Sequence, residues 1–173
     1  IFDAALKLFG EKGYEKITIT DIAKSIGVSQ GLCYRYFPSK EVLFDSAIEQ
    51  YADILVSQFA EMAENTHMPL KQFIEEMPLN VEDQNTKYYA VFHGPQNKKF
   101  HNQLSLKTCE KLVPVIEKML QNARENGEIQ LEDLKTAAMF CIYGQLGILL
   151  DDGMDQKEKA NRIRKFLIYA LHL

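Results

Sequence analysis

The sequence predicts an all-α protein. Proline and glycine are sparse, at 5 and 9 of 173 residues, and no sustained alternation of apolar and polar residues marks a half-buried strand. Apolar residues recur instead at helical spacing and make up 46% of the chain, which is enough for a substantial core. The length suits one large domain or a small domain joined to a larger one.

Two short helices separated by a glycine are predicted near the amino end. Thr18 and Asp21 form a T-x-x-D pattern close to a capping box, which begins the first of these helices. Gly27 suits the left-handed turn that ends it. Ser29 caps the second helix, which stops before Pro38. This layout is that of a helix-turn-helix.

Longer helices occupy the rest of the sequence. One helix precedes Gly13, and a long fourth helix begins at Ser39. Pro114 lies inside the longest helix and is expected to kink it. The helices predicted from Ser39 onward cover residues 39–65, 69–78, 82–93, 97–126, 133–150 and 156–171.

The positive charge is concentrated in one short segment. The formal net charge is −4, yet residues 16–40 carry four cations against one anion, whereas residues 41–173 carry fourteen cations against twenty anions. A basic segment in an acidic chain favours a nucleic-acid contact at that segment. Charge and composition change near Ser46, which predicts a small domain over residues 1–46 and a larger one over residues 47–173.

In a helix-turn-helix, the second helix enters the major groove of DNA with its N-terminal residues facing the base edges. Gln30 can bond an adenine edge in two places, and Leu32 can touch a thymine methyl. Gly31 removes a side chain where the backbone must come close to DNA. Tyrosine hydroxyls and Lys40, in the first turn of the fourth helix, suit phosphate contacts. The predicted DNA-contacting residues are Thr18, Thr20, Ser29, Gln30, Gly31, Leu32, Tyr34, Arg35, Tyr36 and Lys40.

Each of these residues also fits a more ordinary role. Aromatic side chains at helical spacing usually belong to a core, and Phe37 is predicted to do so. Tyr34 and Tyr36 fit half-buried positions with their hydroxyls at the surface, and Arg35 fits a solvated one. For the segment as a whole, however, the caps, the turn and the charge agree on DNA binding.

A fixed order of residues runs from the first helix into the fourth: Leu8-Phe9, Gly13-Tyr14, Thr18, Asp21-Ile22-Ala23, Gly27-Val28-Ser29, Gly31, Tyr34, Tyr36-Phe37 and Ser39-Lys40-Glu41. By this pattern the segment from Leu8 to Phe44 resembles the N-terminal domain of the TetR family of bacterial transcriptional regulators. Two residues depart from the family pattern. Cys33 stands where a larger apolar residue is usual, and Ile17 replaces a common threonine.

The resemblance implies a homodimer on a palindromic operator, with a small-molecule pocket in a helical C-terminal domain. The sequence independently favours the dimer. Residues 137–150 are apolar almost all round, and Gly144 and Gly147 let another helix approach closely. The last two helices of two subunits are thus predicted to form a four-helix bundle. The last helix would contribute an apolar stripe that consists of Ala160, Ile163, Leu167 and Ala170. The alternative is that the two helices form the ordinary core of a monomer.

Methionine and aromatic side chains in the C-terminal part suit an adaptable apolar site for a small apolar or amphipathic effector. They fit a core equally well. The candidate effector-binding residues are Phe59, Met62, Phe73, Tyr88, Phe92, His93, Leu112, Phe140 and Tyr143.

The sequence predicts a ligand-responsive transcriptional regulator, and repression is favoured over activation. Its effector moves the fourth helix and changes the spacing of the two DNA-reading heads. The alternative is a helix-turn-helix protein without a small-molecule switch. No GxSxG, HExxH, Walker A or GxGxxG motif occurs, so an enzyme is not expected, nor a cofactor. No metal is expected either, although His93, His101 and Cys109 are evenly spaced.

A cytoplasmic location is predicted. The three cysteines fit reduced thiols of a cytosolic protein. The longest apolar run, residues 137–150, is shorter than the roughly 20 residues of a membrane span. No signal peptide is visible, and a few residues are expected to be missing before Ile1, because the chain opens in a helical pattern.

Overall fold

The computed structural model describes residues 1–64, 68–77, 88–93 and 98–173. All regular structure in these ranges is helical, which confirms the predicted all-α class. A 3-10 helix, Tyr14–Lys16, follows the first α-helix. The α-helices are α1 Phe2–Lys12, α2 Ile19–Ser25, α3 Gln30–Tyr36, α4 Lys40–Glu64, α5 Leu70–Glu76, α6 Tyr89–His93, α7 Lys98–Glu125, α8 Leu134–Leu149 and α9 Gln156–Ala170.

The boundaries of α2 and α3 follow from the predicted caps. The Thr18 hydroxyl accepts from the Asp21 amide, and the Asp21 carboxylate accepts from the Thr18 amide, so the capping box is complete. After α2 the chain turns at Gly27, whose φ of +70° strains any residue with a side chain. Ser29 then caps α3, with its hydroxyl oxygen 3.2 Å from the Leu32 amide nitrogen.

The later helices agree with the sequence within a few residues. α7 continues through Pro114 as one helix. Asp133 and Asp155 cap α8 and α9 through their carboxylates. Of the helix predicted over residues 82–93, only Tyr89–His93 lies within the described residues.

The chain divides into two compact units. The first contains residues 1–55 and the described residues between 82 and 107. Its core includes Phe9, Ile22 and Cys33, all at most 1% exposed. The prediction of separate domains over residues 1–46 and 47–173 stays a prediction.

Within the first unit, α6 lies directly against α1. A Cβ atom on Gly10 would fall 2.7 Å from Val91 Cγ2, so glycine is what lets the two helices approach this closely. Tyr88, just before α6, donates a hydrogen bond to the Asp3 carboxylate of α1. The two helices are therefore joined by both a close packing contact and a polar contact.

The second unit contains the described residues between 56 and 81 together with residues 108–173. One of its apolar clusters forms where α9 packs against α5 and α8, and it includes Leu120 and Ile163. A second apolar cluster surrounds Phe59 and is described below.

A buried lysine caps the C-terminal end of α8. Lys159 is only 6% exposed, and its ammonium donates to the Leu149 carbonyl oxygen at 2.8 Å. The last carbonyls of a helix carry the negative end of its dipole, so a cation is favourable there. The same interaction ties α9 to the end of α8. Among the helices in the described ranges, none combines the length and the hydropathy needed to cross a membrane.

Candidate nucleic-acid interface

The N-terminal end of α3 presents a small polar surface. Ser29, Gln30 and Gly31 are exposed, Leu32 is half-buried, and Cys33 is fully buried beneath them. The Ser29 cap fixes the first turn of α3, because its hydroxyl oxygen accepts from the Leu32 amide, which lies too near the helix start to reach an i−4 carbonyl within the helix. The structure thus places the predicted base-contacting side chains together at one helix end.

Gly31 is not required by the packing of the described residues. Apart from its own helix and chain neighbours, none of their atoms lies within 4 Å of where its Cβ would be, whereas a Cβ on Gly10 would clash with Val91. Glycine inside a helix is less favourable than alanine by about 1 kcal/mol. The packing around Gly31 does not explain this cost in stability. A surface that another molecule approaches closely does explain it.

The Thr18 side chain belongs to the capping box that begins α2. Its hydroxyl donates to Asp21 Oδ2 at 2.6 Å and accepts from the Asp21 amide at 3.2 Å. The hydrogen bond from the Thr18 side chain is the main reason that the pKa of Asp21 lies below its ordinary value. Since the single hydroxyl proton points to Asp21, Thr18 does not donate to a phosphate in this state. Thr20, the other predicted threonine, is half-buried.

Aromatic and cationic groups lie at the other end of α3. Tyr34 is 45% exposed and Tyr36 is 59% exposed. The Arg35 guanidinium donates to Tyr36 Oη at 3.1 Å and lies 5.1 Å from the centroid of the same ring. Phe37, predicted to be core, is half-buried and packs edge-on against Phe2. The hydroxyls of the two tyrosines and Arg35 remain at the surface, as a phosphate-contacting group requires.

Lys40 is held against the turn that follows α1. Its ammonium donates to the Tyr14 carbonyl oxygen at 3.1 Å and lies 4.1 Å from the centroid of the Tyr14 ring. The side chain is half-buried. Sequence reasoning named Lys40 but gave no role to Tyr14, since the two residues are 26 positions apart and no local pattern links them.

The predicted effector-binding residues fall into separate groups. Phe59, Phe73 and Leu112 are buried in one apolar cluster of the second unit. Met62 packs against the same cluster. Cys109 of α7 and Ile142 of α8 are also buried in this cluster, and sequence reasoning named neither as an effector contact. The structure therefore brings together four of the nine candidates.

The other candidates lie elsewhere. Tyr88 and Phe92 pack around Tyr51 in the first unit, with ring centroids 5.3 Å from that of Tyr51 in both cases. Phe140 is 75% exposed and Tyr143 is 38% exposed on α8, so both lie at the surface of the second unit. The side chain of His93 lies outside the described residues.

A groove of about 570 Å³ opens beside the apolar cluster, and its walls include Phe73. Its rim carries an ion pair of Lys118 with Glu64 at 2.7 Å, which holds the pKa of Glu64 below its ordinary value. The Glu128 carboxylate at the other end accepts from the Leu70 amide. No sequence pattern identified this groove, because its walls come from segments that are distant in the chain.

The end of the chain also presents an exposed apolar face on α8 and α9. Phe140, Phe166 and Tyr169 are 75%, 63% and 76% exposed. Gly144 and Gly147 lie on α8, and apart from that helix no atom of the described residues lies within 4 Å of where their Cβ atoms would be. Contiguous apolar surface of this kind usually marks an interface. We call these five residues the α8–α9 face.

The capping box, the left-handed glycine turn and the exposed start of α3 define a helix-turn-helix protein of the all-α class. The sequence profile of the tetR family of bacterial regulatory proteins matches residues 1–47. The helix-turn-helix segment, residues 1–47, therefore has the sequence of the TetR family N-terminal domain, as the pattern from Leu8 to Phe44 predicted.

Relatives with known names agree with this assignment. The uncharacterized HTH-type transcriptional regulator YuxN of Bacillus subtilis is 47% identical over 53 residues, which cover 31% of this chain and 18% of that protein. The fatty acid metabolism regulator protein of the same organism is 25% identical over 200 residues, which cover 99% of this chain and 94% of that protein.

The solved structures show the same fold. The crystal structure of RolR in complex with its ligand resorcinol superposes with a TM-score of 0.68, covering 99% of this chain and 85% of that chain. The sequence identity is 16%, so this likeness concerns the fold alone.

Proposed function

We propose that this protein is a transcriptional repressor that binds a palindromic operator as a homodimer and is released by a small apolar or amphipathic effector. The observation that carries the proposal is the start of α3, where Gln30 and Gly31 are exposed on a capped helix end. DNA binding by a bacterial regulator also implies action in the cytoplasm.

The start of α3 suits base readout. Gln30 has the donor and acceptor needed for an adenine edge, and Leu32 offers methyl groups for thymine. Gly31 lets the helix backbone come close to the groove. Tyr34 and Tyr36 supply hydroxyl donors for phosphates, which fix the register without reading sequence.

The α8–α9 face supports the homodimer. A single short recognition helix rarely binds DNA tightly, and two copies related by a two-fold axis match a palindromic site. In a four-helix bundle made by α8 and α9 of both subunits, Phe140, Phe166 and Tyr169 would be buried. Gly144 and Gly147 leave room for the helices of the partner to approach.

The second unit supports the effector site. The apolar cluster around Phe59 and Phe73 lies beside the groove that Phe73 lines. Apolar walls with a polar rim suit an amphipathic molecule. RolR, which shares the fold, was crystallised with the small phenol resorcinol, and a relative aligned over nearly the whole chain is named for fatty acid metabolism.

Release follows if the effector favours a form whose two α3 helices no longer span successive major grooves, about 34–36 Å apart. A shift of α4 would change this spacing. A coupling of ~1–3 kcal/mol between the two sites would change the affinity about 5- to 150-fold.

The first experiment selects operators from a random duplex library with the purified protein and then measures affinity for the selected duplex at several salt concentrations. We expect a palindromic consensus, and we expect the logarithm of affinity to fall linearly with that of salt. Gln30→Ala should lose preference at one position of each half-site, while Lys7→Ala on exposed α1 serves as the control. Failure to enrich any sequence would contradict the proposal.

The second experiment adds small phenols and fatty acids to the complex with the selected duplex. A compound that raises the melting temperature of the free protein and lowers DNA affinity supports the switch. Phe73→Leu, which keeps an apolar side chain in the buried cluster, should weaken the response and keep DNA binding. Unchanged DNA affinity with every compound that binds would instead favour the helix-turn-helix protein without a switch.

A further inference from the structure

Tyr14 contacts Lys40 in two different ways. The Lys40 ammonium donates to the Tyr14 carbonyl oxygen at 3.1 Å, and the same nitrogen lies 4.1 Å from the centroid of the ring. A cation at this distance from an aromatic ring is attracted by the ring quadrupole. Both contacts come from one residue, so the position of Tyr14 decides where the ammonium lies.

Tyr14 is itself held firmly in place. Its ring lies against those of Phe9, Phe44 and Phe100, with centroids 5.1, 5.1 and 5.3 Å away. Its hydroxyl donates to the Glu41 carboxylate at 3.3 Å. Burial and the charge of Glu41 raise the pKa of Tyr14 to about 12, so the phenol keeps its proton at neutral pH.

The start of α4 is thereby connected to the turn after α1. Ser39 caps α4 with its hydroxyl oxygen 3.3 Å from the Val42 amide nitrogen, and the next two residues, Lys40 and Glu41, both contact Tyr14. The Tyr14–Lys16 turn and the first turn of α4 form one small interaction unit, although α2 and α3 separate them in the sequence.

The contact with Tyr14 does not use up the ammonium. A lysine ammonium has three N–H donors, and the Tyr14 carbonyl takes one of them. A free lysine side chain loses much rotamer freedom when it binds a phosphate. A lysine that the protein already holds has lost part of that freedom before DNA arrives.

We propose that Tyr14 is a positioning residue for DNA binding, which holds the Lys40 ammonium at the start of α4 so that it meets a backbone phosphate in an ordered position. This inference rests on the proposed function, since it assumes that Lys40 contacts DNA. It assigns to Tyr14 a role that acts through Lys40 and not through a contact of its own with DNA.

The test is a double-mutant cycle of Tyr14→Leu and Lys40→Met on the operator duplex selected above. We expect Tyr14→Leu to weaken binding about threefold to tenfold when Lys40 is present, and to have no effect in the Lys40→Met background. Loss of fold alone would weaken both backgrounds equally. Tyr14→Phe keeps the ring and the carbonyl, so it should bind like the wild type.

Salt dependence checks the role of Lys40 separately. Lys40→Met should reduce the slope of log affinity against log salt by about 1.8 in a dimer, for two lost phosphate contacts. The control Lys7→Met removes a cation of α1 outside the interface and should leave the slope unchanged. An unaltered slope in Lys40→Met, equal weakening by Tyr14→Leu in both backgrounds, or tighter binding by Tyr14→Leu would overturn the inference.

A measurement without DNA separates this inference from the proposed function. Limited acetylation with acetic anhydride, followed by peptide mass spectrometry, reports how accessible each lysine is. We expect Tyr14→Leu to raise the reactivity of Lys40 relative to that of exposed Lys24, and Tyr14→Phe to leave it unchanged. Equal Lys40 reactivity in wild type and Tyr14→Leu would overturn the inference even if the protein binds its operator well.

Discussion

The start of α3 and the α8–α9 face are both exposed to solvent, but they differ in chemistry. The start of α3 is small and polar, with Gln30 beside Gly31, which has open space around it. The α8–α9 face is large and apolar, with Phe140 and Tyr169 about three-quarters exposed. The first is suited to approach by a hydrated, charged molecule, and the second to burial against another apolar surface.

The largest effect is expected at the α8–α9 face. Phe140→Glu combined with Phe166→Glu should convert the proposed homodimer to a monomer, because carboxylates inside an apolar four-helix bundle are strongly unfavourable. Analytical ultracentrifugation measures the mass, and binding of the selected duplex should be lost in parallel.

The matched control places two glutamates at exposed lysine positions of the same helices, outside the five residues of the α8–α9 face. Lys135→Glu with Lys157→Glu changes exposed positions of α8 and α9 and should leave the dimer intact. A dimer that survives the change at Phe140 and Phe166 would show that the subunits associate through another surface.

At the start of α3 we expect two smaller effects of opposite sign, one on stability and one on operator binding. Gly31→Ala should raise the unfolding free energy by about 0.5–1 kcal/mol, since alanine is the better helix former. The same methyl group should weaken operator binding by roughly tenfold or more, comparable to one lost base contact. Chemical denaturation and fluorescence anisotropy measure the two quantities. Unchanged affinity would show that the backbone at Gly31 does not approach DNA.

Gly10, where α1 packs against α6, is an internal glycine, in contrast to Gly31 at the proposed DNA interface. Gly10→Ala puts a methyl group 2.7 Å from Val91 Cγ2, so overpacking should lower the unfolding free energy by about 1–3 kcal/mol. Gly10→Ala with Val91→Ala should regain much of this loss, because the clashing methyl is gone. If the double variant is less stable than Gly10→Ala alone, the close contact is not the reason for Gly10.

The smallest effect concerns the capping box before α2. Thr18→Ala should cost about 1 kcal/mol of stability at neutral pH, a typical value for an N-cap. The pKa of Asp21 is lowered chiefly by the hydrogen bond from the Thr18 side chain, so the part of the stabilisation that comes from the Asp21 carboxylate is present above the ordinary pKa of 3.8 and is lost as pH falls through the lower folded value. The bond from the Asp21 amide to the Thr18 hydroxyl oxygen does not titrate. Denaturation from pH 7 to pH 2 should show the two proteins converging in stability. A difference that stays constant with pH would argue against the role of Asp21.

Sequence reasoning succeeded where the interactions are local. The caps at Thr18 and Ser29 and the turn at Gly27 depend on residues within a few positions, and all three are present as predicted. The TetR assignment followed from the same segment. The effector-binding residues stay a prediction, because methionine and aromatic residues have the same pattern in a core as in a binding site.

What the sequence by itself determined is the set of helices, the polar surface at Gln30 and Gly31, and the family. Only the tertiary structure decided that Lys40 lies on Tyr14 and that Gly10 faces Val91. Only the structure placed Phe140 on an exposed face and apart from the cluster around Phe59. The physical reason is that capping and turn energies arise between near neighbours in sequence, whereas these contacts depend on how distant helices pack.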